Sequence, residues 1–403
     1  MKRLWAIFLI SALISSNIVT SASAAVKSGT PCKISGQSVL DSGKKYTCMK
    51  NGKKLLWSKG VAVVQKKPAT VTPSPTPSTS VVPIAPTSFD NLQSRLDGVI
   101  YGAWSRASEK LKSSVTALGT TKILIGPNTK EDDPNSLVSL NLASRLFGDS
   151  AQVKNLVIIK YSSSDIDWAQ GQYDLLRPNH QRTIAKDFCS GRNGCDGATG
   201  GVNNEGVGVI LMGQGGSYPG QPLIAGGSRA QNGLTLAHEY MHTIQLINAP
   251  CIGGRLCYGD VPVWLVEGGA TWSAAAARFS GSYSDFLIER NSALGNQYSK
   301  ASSLYTAEYV NAFLNPNPDF SNNQGWSHWE KYDRWEKYAI GMLASEIMVN
   351  IKGTNSLMKI FSDVGSGKTF IESFQQEFGL SWADACPKIS EAIAGLLRQG
   401  IKK

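Results

Sequence analysis

Two histidines four residues apart, His238 and His242, enclose Glu239 in the string His-Glu-Tyr-Met-His, and Glu267 follows within Trp264-Leu265-Val266-Glu267-Gly268. On a helix, positions four apart share one face, so both imidazoles reach a single cation. Two ring nitrogens and a carboxylate oxygen suit zinc, and three protein ligands leave the fourth tetrahedral position open. Glu239, beside the first ligand, reaches a water at that position without coordinating, which is the place of a general base for hydrolysis. The competing reading is a buried helix with two hydrogen-bonded histidines. With only four His in 403 residues, chance is a weak account of this spacing.

The elements that must position these groups follow from the flanking residues. The first helix is expected over residues 234–247, entered from Asn232-Gly233, closed before Pro250, and carrying Leu236, Met241 and Ile244 toward a core. Pro262 suits the start of the second helix, where its missing N–H costs nothing. Gly268 and Gly269 fall inside that helix, where each is unfavourable by about 1 kcal/mol relative to Ala. Absent Cβ atoms there are expected to let the second helix approach the first closely and bring Glu267 to the metal.

Over residues 234–276 the chain resembles the gluzincins, zinc metallopeptidases whose third ligand lies in a Trp-Leu-x-Glu-Gly-x-Ala string, here Trp264-Leu265-Val266-Glu267-Gly268-Gly269-Ala270. The resemblance implies that His238, His242 and Glu267 hold Zn2+, that Glu239 is the catalytic base, and that the substrate is a peptide or protein. It implies an α+β fold, a zincin-like domain with a strand-rich first lobe and a helical second lobe. Tyr338-Ala339-Ile340-Gly341 resembles the Tyr-x-x-Gly helix start of the aminopeptidase branch, which makes Tyr338 the expected donor to the reacting carbonyl oxygen and His328 the competing one. Residues 206–213 are the expected cleft-edge strand that pairs with substrate. The aminopeptidase branch carries Gly-x-Met-x-Asn there; this chain reads Ile210-Leu211-Met212-Gly213-Gln214, which favours an endopeptidase. Thr271 stands where thermolysin-like relatives place an Asp, and residues 213–227, rich in Gly, are expected to form a mobile loop above the cleft.

Around this region the chain reads as four parts. Residues 1–24 have the basic start, apolar stretch and Ala22-Ser23-Ala24 ending of a cleaved export signal. Residues 25–64 read as a small β-rich module with a Tyr46-Thr47-Cys48 strand, similar to short Cys-paired modules of exported actinobacterial proteins. Residues 65–88 are a Pro/Thr/Ser-rich spacer, and 89–403 the catalytic region. An opening helix is expected over 89–118, strands at 122–126, 153–161 and 207–212, a helix at 137–147, and helices almost throughout after Leu234. Ten Lys face Asp41 alone between residues 26 and 67, while the rest after Val26 is nearly neutral. The basic module is therefore expected to meet anionic cell-wall polymer, nucleic acid is not an expected partner, and no run after the signal suits a membrane span. Seven Cys in an exported chain point to disulfides, with Cys32–Cys48, Cys189–Cys195 and Cys251–Cys257 the local pairings and Cys386 left as a buried thiol. The expected protein is secreted or wall-associated; the alternative to an enzyme is a catalytically inactive gluzincin-like binding protein of the cell envelope.

Overall fold

The structure, a computed structural model, describes residues 27–32, 38–41, 44–52, 54–62, 82–130, 135–177, 183–189, 195–214, 233–250, 260–295, 304–315, 332–333 and 335–400. The expected export signal, most of the spacer, the Cys251–Cys257 pair, all of the Gly-rich loop after Gln214 and His328 lie outside these residues. The chain forms two units, Met1–Ser80 and Val81–Lys403.

In the first unit, β1 (Ser38–Asp41), β2 (Lys44–Asn51), β3 (Lys54–Trp57) and β4 (Val61–Ala62) form a small antiparallel sheet in which β2 pairs with the other three. So small a sheet buries little apolar surface, and the Cys32–Cys48 disulfide supplies a covalent tie. Cys48 itself is buried.

The second unit mixes strands and helices in its first half. It begins with α1 (Gly98–Ser113), β5 (Thr120–Ile125), α2 (Ser136–Leu146), β6 (Asn155–Tyr161), α3 (Ile166–Leu176) and the short α4 (Ile184–Asp187). The hairpin of β7 (Ala198–Val202) and β8 (Gly208–Gly213) follows. The sheet order is β5-β6-β8-β7; β5, β6 and β8 run parallel and β7 is antiparallel to β8. The apolar runs Leu156-Val157-Ile158-Ile159 and Val209-Ile210-Leu211-Met212 suit the two interior strands, which helices and neighbours cover.

Two sequence expectations need correction here. Residues 206–213 do not form the sheet edge: β8 is an interior strand buried along its length, and β7 is the edge beside it. The Ala-Thr-Gly-Gly-Val sequence of β7 lacks apolar alternation, so its strand character comes from pairing with β8 across a turn closed by the Asn203 side chain and Gly206, whose φ is 76°. The opening helix is also shorter than expected. Two 3₁₀ turns, Phe89–Asn91 and Gln93–Arg95, precede α1, and the backbone of Ile84 and Ala85 passes against Gly98, where a Cβ would lie 2.1 Å from the Ile84 carbonyl oxygen. Beyond Ser113 the chain leaves the helix, with the Ala117 amide donating to Ser144 Oγ at 3.0 Å.

Every regular element described after Gly213 is helical: α5 (Leu234–Asn248), α6 (Val263–Arg278), α7 (Tyr283–Ala293), α8 (Ala307–Leu314), α9 (Glu336–Lys352), α10 (Asn355–Gly365), α11 (Phe370–Phe378) and α12 (Trp382–Gln399). None of the described helices is long and apolar enough to cross a membrane. The core of this half holds Trp264 and Trp382, stacked at 5.8 Å, and a buried ion pair in which Arg290 Nε donates to Glu346 Oε1 at 2.7 Å, joining α7 to α9. Cys189 and Cys195 are paired, and Cys386 is a buried thiol on α12 whose pKa burial pushes up to about 12.

Candidate metal centre

Helix α5 starts after Gly233, whose φ of 73° is a left-handed value that favours glycine. Leu236, Met241 and Ile244 are fully buried on its core side, which turns His238, Glu239 and His242 toward α6 and the sheet edge. Pro262 caps α6, which carries Glu267 and Thr271 one turn apart. The glycine expectation holds in kind but not in partner. Gly268 faces Gly341 of α9, not α5: a Cβ on Gly268 would lie 2.1 Å from the Gly341 carbonyl carbon, and one on Gly341 would lie 2.0 Å from Trp264 O. Gly269 has no such requirement, because its Cβ would meet Ser345 Oγ at an ordinary 3.7 Å.

His238, His242 and Glu267 converge. The two Nε2 atoms are 3.1 Å apart, and Glu267 Oε2 is 3.3 Å from His238 Nε2 and 3.4 Å from His242 Nε2. The other ring nitrogens define the tautomers. Thr271 donates its hydroxyl to Glu267 O at 2.8 Å, so its oxygen accepts from His238 Nδ1–H at 3.3 Å. Gln245 donates to Val266 O at 2.9 Å and thereby turns Oε1 to accept from His242 Nδ1–H at 2.8 Å. With both Nδ1 atoms protonated, the two Nε2 lone pairs and a carboxylate oxygen face one another. Such an arrangement repels unless a metal cation or a shared proton sits among them. The spacing fits zinc: ligand bonds of about 2.0–2.1 Å in a tetrahedron give edges of about 3.3 Å.

Without metal, the charges compensate one another. Burial alone would lower the His242 pKa, but the Glu267 and Glu239 carboxylates outweigh it and raise the value to about 9. Burial would raise that of Glu267, yet its hydrogen bonds to the two imidazoles hold it well below the usual carboxylate range. Glu239, whose carboxylate takes the Gly200 amide of β7, is shifted upward by burial. A Cβ on Gly200 would lie 2.0 Å from Glu239 O, so this glycine lets the edge strand lie directly on α5.

Tyr338, three residues before Gly341, has its ring centroid 5.9 Å from that of His238, on the first turn of α9. Two residues at the site are absent from the sequence reading. Gln245 lies one helical turn beyond His242, and its signal was an amide on the face that the histidines share. Lys337 Nζ lies 3.6 Å from Glu267 Oε1, and no local spacing ties residue 337 to 267.

No protein-family model, curated protein or solved structure matches the chain.

Proposed function

We propose that this chain is an exported zinc metallopeptidase with a zincin-like catalytic domain of gluzincin type, acting as an endopeptidase on a peptide or protein substrate. The observation that carries this reading is the triangle of two imidazole nitrogens and one carboxylate oxygen, 3.1–3.4 Å on a side, with Glu239 buried beside it. His238, His242 and Glu267 would hold zinc, which supplies Lewis acidity toward a water molecule and a substrate carbonyl.

Glu239 takes the proton from the attacking water and delivers it to the departing amide nitrogen. Its carboxylate is held for this by the Gly200 amide, which ties the base to the sheet edge. Within the hairpin, the backbone groups of Gly197 and Asn203 turn inward to β8, so those of Ala198, Gly200 and Val202 turn outward. That outward row, apart from the Gly200 amide already bound to Glu239, is where an extended substrate would add as a further strand. Tyr338 donates to the carbonyl oxygen as charge develops on it. The paired cysteines, together with the signal-like first 24 residues, favour an exported protein, secreted or wall-associated, with the Lys-rich module as its contact to anionic wall polymer.

Digestion of a peptide library by zinc-loaded wild type and by Glu239→Gln tests the activity. Internal cleavage by the wild type alone is expected. Zinc bound by both and cleavage by neither would transfer the assignment to an inactive envelope-binding protein.

A further inference from the structure

Glu267 uses its two oxygens differently. Oε2 faces the two imidazoles, whereas Oε1 faces the ammonium of Lys337 at 3.6 Å. Resting on the metal-centre reading above, we propose that Lys337 is the resident counter-charge of this centre: it holds Glu267 in its ligating position before metal arrives, and it sets the metal affinity below what the three ligands alone would give.

Glu239 and Glu267 lie together with little access to water, and a carboxylate in such a place needs a compensating cation. Lys337 is the non-histidine cation within ion-pair distance of either carboxylate among the described residues. Its backbone is fixed by neighbours. The preceding residue, Glu336, is buried and accepts hydrogen bonds from Tyr305 at 3.0 Å and Tyr309 at 2.8 Å, and one turn later Gly341 lies against Gly268. The ammonium also lies 5.2 Å from the centre of the Tyr338 ring, a second favourable contact at the same place.

Metal entering through Oε2 meets a carboxylate that already has a cation on its other oxygen. Two effects then oppose each other. Holding Glu267 in place favours binding by reducing the ordering cost, which for one short side chain involves few rotors. Repulsion between a unit charge and a dication opposes binding, and it is strong at short range where water is scarce. The repulsion is the larger effect, so removal of the charge tightens binding.

The test uses the full chain as wild type, Lys337→Met, Lys337→Gln and Lys337→Arg, with the zinc dissociation constant measured by competition against a chromophoric chelator. Thermal unfolding of the metal-free forms is recorded alongside. The two charge-free variants are expected to bind zinc about tenfold tighter or more and to melt at lower temperature when metal-free, while Lys337→Arg stays near the wild type. Equal or weaker zinc binding by the folded charge-free variants overturns the inference and leaves the metal centre standing. Failure of both charge-free variants to fold assigns Lys337 to the fold and also overturns it. A wild type that binds no zinc defeats the metal reading itself, and this inference with it.

Discussion

At the residue scale, the centre is a balance of acceptors, protons and charge. Tyr338→Phe keeps the ring beside His238 and removes only the hydroxyl; it is expected to lower kcat by about a hundredfold or more with zinc content unchanged, measured by steady-state kinetics and metal analysis. Full activity in that variant would remove Tyr338 from the mechanism. In the metal-free protein, protonation compensates the buried carboxylates. The His242 pKa is raised to about 9 in the folded metal-free protein, so its protonation contributes stability fully below the unfolded value of about 6.5 and loses it as pH rises through about 9. Chemical denaturation of the zinc-stripped protein is expected to show stability falling between those limits, and His242→Gln is expected to flatten that part of the profile. The grouping of His238 and His242 was legible in the sequence because four-residue spacing puts both on one helix face, whereas Glu267 was singled out by the string Trp264-Leu265-Val266-Glu267-Gly268 and reaches them through packing of α6 on α5. Lys337 was not, because its contact with Glu267 joins residues seventy positions apart through the packing of α9 on α6.

Among the elements, two helix pairs and one strand build the site. Gly268 and Gly341 let α6 and α9 touch at backbone distance, so Gly268→Ala or Gly341→Ala forces the helices apart and is expected to cost on the order of 1–3 kcal/mol by equilibrium denaturation, with loss of zinc affinity as Glu267 shifts. Gly269→Ala serves as the control. Its Cβ meets nothing closer than 3.7 Å, so the gain in helix propensity of up to about 1 kcal/mol should leave stability unchanged or higher. Equal destabilisation at positions 268 and 269 would contradict this packing account. The pair of glycines was visible in the sequence, but which one was needed, and against which helix, depended on long-range packing. The interior strands β6 and β8 were visible as apolar runs. Strand β7 was hidden, since the paired glycines of Ala-Thr-Gly-Gly-Val break any alternation and disfavour a strand, and it owes its conformation to the neighbouring strand.

For the whole molecule, charge and chemistry are divided between parts of the chain. Nearly all excess positive charge lies between residues 26 and 67, so retention of the full chain on isolated cell walls is expected to fall steeply with added salt and to be lost when those residues are deleted. Salt-independent retention, or retention by the deleted form, would exclude an electrostatic anchor. The catalytic proposal depends on a different part, the second unit, and above all on whether its three converging acceptors take a metal. Zinc content per chain after exhaustive dialysis, measured on wild type and Glu267→Ala side by side, tests this most directly. One zinc per wild-type chain, lost or greatly reduced in Glu267→Ala, is the result expected from the geometry; no zinc in the wild type, or undiminished zinc in Glu267→Ala, would contradict it.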